Sequence, residues 1–283
     1  MRRVGDFELH AVSDGFFRLD GGAMFGIVPK PVWEKACPPD ERNRIRLSLT
    51  CLLAKGGGKT VLVDTGLGDK HDARFRDLYA VDRSRTLLGS LEALGVKPED
   101  VDLVVLSHLH FDHAGGATRR DSDGSLTPTF PRATYIIQEG MWDEAMDPNP
   151  RTKGSYMKED FEELRRRGRV RFVRGDEEIA PGVVCRHTGG HVKHHQGVEL
   201  SSKGEKAFFW GDLLPTTHHA KPAWVMSYDL FPHEVASLKE KMLARAAAER
   251  WVNIFEHDPD IAMGTFVKEE KGYRVDALER VSS

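Results

Sequence analysis

Seven consecutive residues, Ser107-His108-Leu109-His110-Phe111-Asp112-His113, bring three imidazoles and a carboxylate together at the end of an apolar run. His108 and His110 are two apart, so at the end of a strand over 101–106 they point the same way. Asp112 and His113 follow the turn and can face back toward the same point from another side. Neutral imidazole and carboxylate are ligands for zinc and similar divalent cations. Gathering so many of them for any other purpose means desolvating polar groups with nothing to satisfy them. The stretch therefore reads as a metal site.

This cluster cannot complete the coordination of two ions, and further donors follow downstream. Thr188-Gly189-Gly190-His191 comes after a strand-like run at 183–186, where the glycines let the backbone carry His191 close to a metal. Phe208-Phe209-Trp210-Gly211-Asp212 is an apolar run that ends by presenting a carboxylate, and Ile254-Phe255-Glu256-His257 ends in another imidazole. Each signal is weak by itself. In this order, each at the end of an apolar run, they point together to a metal-dependent active site.

The pattern His108-x-His110-x-Asp112-His113, then His191, Asp212 and His257, with Val61-Leu62-Val63-Asp64-Thr65-Gly66 ahead of it, resembles the metallo-β-lactamase-fold hydrolases over nearly the whole chain. The resemblance implies an α/β fold, the four-layer αββα sandwich. It also implies two divalent metal ions, zinc first, with manganese, iron and cobalt accepted by the same donors. His108, His110 and His191 would hold one ion, and Asp112, His113 and His257 the other. Asp212 would bridge them, and Asp64 would orient a ligand imidazole from behind. His195, four residues after His191, is a second candidate for such support.

Within that superfamily, 187–191, 211–216 and 224–229 resemble the YtnP-type quorum-quenching lactonases, and 21–29 is shared with lactonases and organophosphate hydrolases. The branch implies hydrolysis of an acylated lactone or ester, N-acyl homoserine lactone foremost, by a hydroxide held between the metals. Asp112 would pass a proton to the leaving alkoxide, with Asp212 the second catalytic carboxylate. Phosphotriester or general carboxylester cleavage is the alternative on the same fold. Met24, Phe25, His219 and Tyr228 are the expected pocket residues. Smaller homoserine lactonases carry a Tyr soon after the bridging Asp; that segment has none here, so Tyr228 or His219 would assist at the substrate carbonyl.

Composition narrows the partners. A chain of 283 residues with formal net charge −3 offers no general attraction for nucleic acid or an anionic membrane. The six arginines between Arg165 and Arg174 read as a solvated helix end running into an edge strand. No run approaches the about 18 apolar residues of a membrane span, and the start has no apolar segment of a secretory signal. Cys37, Cys51 and Cys185 have no metal-type spacing and read as free thiols, so a cytoplasmic location is expected. With no linker and no repeat, residues 1–283 are expected to form one domain. A homodimer is expected from the family alone.

The elements that must place these residues are strands over 7–12, 47–54, 60–63, 101–106, 133–138, 170–173, 183–186 and 207–210. Helices are expected over 86–94 and 232–251, the second with Val235, Leu238, Met242, Ala246 and Trp251 on one face.

Overall fold

The computed structural model describes residues 1–270 and 272–281. Strands that are apolar at consecutive positions must be buried on both faces, and here two seven-stranded sheets pack face to face between helices. The first sheet runs in the order Arg2–Val4, Phe7–Asp20, Arg44–Gly56, Lys59–Val63, Leu103–Val105, Thr134–Gln138 and Val170–Val173. Its first three pairings are antiparallel, and from Lys59–Val63 onward the strands are parallel. The second sheet runs Glu177–Ala180, Val183–His187, Gln196–Ser202, Glu205–Phe209, Val252–Ile254, Ile261–Glu269 and Gly272–Arg280. Only its Glu205–Phe209/Val252–Ile254 pair is parallel.

Alternation along the strands assigns each side chain to a layer. Leu52, Ala54, Val61, Val63, Leu103, Val105 and Ile136 face inward and meet Val183, Cys185, Val198, Leu200, Phe209 and Ile254 from the second sheet. Their neighbours Cys51, Leu53, Leu62, Val104, Tyr135 and Ile137 face outward, against Leu87, Leu91, Met141, Trp142 and Leu164. On the far side, Phe208 and Trp210 pack against Val235, Leu243 and Ala246 of the helix Pro232–Ala248. The four layers are thus helix, sheet, sheet, helix, the αββα order expected from the resemblance.

The two helices expected from the sequence form over shorter spans. Leu87–Glu92 starts at Thr86, whose hydroxyl accepts from Gly89 N at 3.1 Å. Pro232–Ala248 has Pro at its first turn and Arg245 in its last. Its buried face is Val235, Lys239, Leu243 and Ala246, with Leu238 and Met242 only partly buried. A lysine therefore occupies a core position where the apolar pattern had placed the stripe one residue earlier. The arginine run is solvated and paired: Arg167 and Arg166 with Glu163, Arg171 with Glu177, Arg174 with Glu139. Among the described residues, no helix is long and apolar enough to cross a membrane.

Candidate metal centre

Parallel strands end at the same edge of their sheet, and both sheets bring their parallel strands to one shared edge. Lys59–Val63 runs into Asp64, and Leu103–Val105 into His108 and His110; Glu205–Phe209 runs into Asp212, and Val252–Ile254 into His257. Backbone bonds close the edge between the sheets: Ser48 N donates to His257 O at 3.2 Å, and Gln196 N to Ser107 O at 2.9 Å. Leu109 is buried in the outer core, so His108 and His110 on either side of it turn the other way. The chain then makes a single helical turn, Phe111–Ala114, which swings Asp112 and His113 back over the edge.

His191 lies on the loop after Val183–His187. Gly190 there has φ +83°, and a Cβ on it would fall 2.6 Å from the Val235 side chain, so only glycine lets this loop lie against the long helix. The loop is clamped by Leu230 N to His191 O at 2.8 Å and Phe231 N to Gly190 O at 2.9 Å.

These residues form two groups whose ligand atoms lie within 4.8 Å of one another: His108, His110, His191 and Asp212, and Asp112, His113 and His257. The Asp212 carboxylate sits between them. Its Oδ2 is 3.0 Å from His191 Nε2, 3.7 Å from His108 Nε2 and 3.5 Å from His113 Nε2, while its Oδ1 is 3.2 Å from His257 Nε2. Asp112 Oδ2 is 3.7 Å from both His113 Nε2 and His257 Nε2.

The far side of each ring is held by an acceptor. Asp64 leaves its strand at φ +57°, an uncommon conformation for a residue with a Cβ. It accepts from Ser107 N at 2.6 Å and Ser107 Oγ at 2.5 Å, and places Oδ2 3.0 Å from His113 Nδ1. Glu256 Oε2 is 2.9 Å from that same nitrogen. Asp229 Oδ1 is 2.9 Å from His191 Nδ1, and the Ser48 carbonyl is 2.9 Å from His257 Nδ1. His195 supports the centre from behind. Thr188 Oγ1 lies 2.6 Å from its Nδ1, and its Nε2 accepts from Asp212 N at 3.1 Å, so it fixes the backbone that carries Asp212.

The donor set fits divalent ions on two grounds. His108 Nε2 and His110 Nε2 are buried with no hydrogen-bond partner among the described residues, a costly state for a ring nitrogen that accepts no ligand. The local field also favours cations. Burial holds His108 and His110 far below the usual imidazole range, in the neutral form that ligates. Burial also works to lower His257 and His191, but Asp212 together with Glu256 raises His257 to about 9, and Asp212 together with Asp229 raises His191 above its ordinary value. For His113, burial is overcome by Glu256, Asp112 and Asp212. Carboxylates that draw protons onto three imidazoles would draw divalent cations more strongly.

The sequence profile described as the Metallo-beta-lactamase superfamily matches residues 46–257, ending on His257. The chain belongs to this superfamily. Its relatives there include the N-acyl homoserine lactonase AttM of Agrobacterium fabrum, 35% identical over 206 residues, covering 70% of this chain and 73% of that one. An N-acyl homoserine lactonase of Bacillus cereus is 27% identical over 171 residues, covering 57% of this chain and 61% of the relative. The chain thus spans somewhat under two thirds of the length of that Bacillus enzyme. Among solved structures, a probable metal-dependent hydrolase of Staphylococcus aureus superposes with a TM-score of 0.91 at 29% identity. It covers 99% of this chain and 100% of its own. The chain's homologues in the superfamily thus include lactonases and a probable metal-dependent hydrolase.

Access to the centre is through a cleft, a cavity of about 440 Å³ with His110, Asp112, His191, Asp212 and His257 at its floor. Met24 and Tyr228 line it, as expected from the sequence. Phe25 and His219 do not. Phe25 is fully buried, stacked between Trp33 at 5.5 Å and His219 at 5.0 Å. His219 has Thr216 Oγ1 2.8 Å from its Nδ1 and the Met24 carbonyl 2.9 Å from its Nε2, which uses both ring nitrogens. These two residues form the second layer of the wall and fix Met24 from behind. That placement turns both ring nitrogens of His219 away from the cleft.

Sequence reasoning missed four residues at this site. Glu256 and Asp229 were visible as carboxylates beside other motif residues, but only the fold shows which ring each one meets. Tyr79 and Arg151 come from segments with no motif, and both line the cavity.

Proposed function

We propose that the chain is a dinuclear hydrolase that opens an acylated lactone, N-acyl homoserine lactone foremost. The observation that carries this reading is the pair of donor groups sharing Asp212 at the floor of a cleft with apolar walls. His108, His110 and His191 would hold one ion and Asp112, His113 and His257 the other, with Asp212 reaching both. Zinc fits this mixture of imidazole and carboxylate, which manganese, iron and cobalt also accept. When bound, such ions polarise an ester carbonyl and lower the pKa of a coordinated water from about 15.7 toward about 7.

The chain's own groups supply the rest. Asp112 belongs to the cleft as well as to the second donor group, so its carboxylate can take up a proton and deliver it to the departing alkoxide. The Tyr228 hydroxyl stands in the same cleft and can donate to the substrate carbonyl as charge develops on its oxygen. Leu19, Met24, Met226 and Leu230 form an apolar wall suited to an acyl chain and exclude water from it. No protein nucleophile is required.

The deciding test combines elemental analysis with a substrate panel read by pH-stat. Two ions per chain and opening of N-acyl homoserine lactones at a kcat/KM orders of magnitude above that for paraoxon support the reading. Two ions with preferred phosphotriester cleavage reverse the branch. Asp212→Ala is expected to lose both metal and activity, and full activity in that variant would refute the shared centre.

A further inference from the structure

The mouth of the cleft holds a cation that lactone hydrolysis itself does not require. Arg151 sits on the turn before Tyr156, where Asn149 Oδ1 accepts from Arg151 N at 2.9 Å and from Thr152 N at 3.3 Å. The side chain is exposed at the cleft, and its Nη2 donates to the Ser227 carbonyl at 2.7 Å. A guanidinium carries five N–H donors in a planar fork, so this bond leaves the others without a partner among the described residues. Some surface arginines of this chain are paired with carboxylates, as Arg167 is with Glu163 and Arg174 with Glu139. Arg151 makes no ion pair among the described residues.

Exposure orders the cleft from floor to mouth. His191, Asp212 and His257 are 1%, 6% and 2% exposed, whereas Tyr228 reaches 37% and Arg151 lies at the rim. A lactone whose carbonyl reaches the floor must leave its acyl substituent running outward along Leu19, Met24, Met226 and Leu230. Those walls offer it dispersion contacts but no polar partner. The one guanidinium or ammonium among the cleft-lining residues is that of Arg151, anchored by its turn and by the Ser227 carbonyl and therefore already in place when substrate arrives.

We infer that Arg151 reads a second oxygen acceptor on the substrate, an amide or keto carbonyl on the acyl part remote from the bond that breaks, and selects substrates carrying one. The inference rests on the lactonase reading above. A hydrogen bond from a charged donor to a carbonyl is worth about 10- to 100-fold in binding. Since it is remote from the reacting carbon, it appears mainly in KM.

The test uses the metal-loaded full chain and two lactones of matched length, N-hexanoyl homoserine lactone and an alkyl γ-lactone lacking the amide. The wild type is expected to favour the amide substrate in kcat/KM. In Arg151→Met that preference shrinks by about 10- to 100-fold through KM, and Arg151→Lys, which keeps the charge but not the fork, falls between. An equal loss on both lactones would show that Arg151 only fastens its turn to Ser227, and an unchanged preference would show no contact; either overturns the inference. If the wild type opens neither lactone but cleaves aryl esters, the lactonase reading fails separately. The same comparison then runs on aryl esters with and without a keto group, with the same criterion.

Discussion

Asp229 offers the sharpest test of how the metal centre is held. One oxygen lies 2.9 Å from His191 Nδ1 and the other accepts from Met226 N at 2.8 Å, with the residue 4% exposed. An ionised carboxylate can accept on both sides. In Asp229→Asn only the amide oxygen accepts, so the amide nitrogen must face either the ring N–H of His191 or the N–H of Met226. Two donors then meet in a buried space, and His191 also loses an anion that raises its basicity. Losing such an outer partner of a ligating histidine costs about 10- to 100-fold in metal affinity, or roughly 1.4–2.7 kcal/mol. The assay is competition of the loaded protein against a chromophoric chelator, with the fold checked by far-UV circular dichroism. One ion, the one on the His108, His110 and His191 group, should leave at lower chelator while the second stays. Release of both at wild-type concentrations would refute the assignment of Asp229 to His191.

Three further outcomes are expected. Lys239 is fully buried on the long helix with its Nζ 2.5 Å from the Trp224 carbonyl, and burial lowers its pKa from 10.5 to about 7. Between those values the unfolded chain binds more protons than the folded one, so this group makes stability rise with pH. Below about pH 7 both states carry the proton and the cost of burial is felt in full. Lys239→Met removes this titration, so urea melts should show its stability relative to wild type falling by about 2 kcal/mol from pH 7 to 9; parallel curves would contradict it. Phe209→Ala, between the two sheets, should lower stability by about 3–5 kcal/mol, measured by the same melts. Asp64→Ala strands the buried Ser107 N–H and frees one side of His113, with an expected loss of about 1–3 kcal/mol. An unchanged melting temperature would show that Glu256 alone suffices beneath His113.

Much of the layered fold can be read from the chain because strands buried on both faces are apolar at nearly every position. The runs at 60–63, 101–106 and 207–210 declare themselves in this way. Strands with one wet face do not. Gln196–Ser202 and the hairpin of Ile261–Glu269 with Gly272–Arg280 mix polar and apolar residues, and periodicity alone did not mark them. The long helix was found, but its buried face was set one residue off because Lys239 does not look like a core residue. Only the strap at 224–230, whose Trp224 carbonyl receives the ammonium, makes that burial tolerable.

The same division holds at the metal centre. The seven donors named from the sequence gather in two groups because each one ends an apolar run, and parallel strands must end at one edge. What supports them is set by register between distant segments. Glu256 is a neighbour of His257 in sequence, yet its carboxylate meets His113, since the strand end that aims one side chain at the cleft aims the next one away from it. His219 shows the converse. The resemblance to the lactonases places it in the pocket, but the 3-10 turn Thr217–His219 rotates it behind Met24, where a backbone carbonyl occupies the nitrogen that substrate would need. Spacing along the chain can thus name the groups that do chemistry, while their direction depends on which backbone lies opposite, and for Arg151 that backbone is the carbonyl of Ser227 across the cleft.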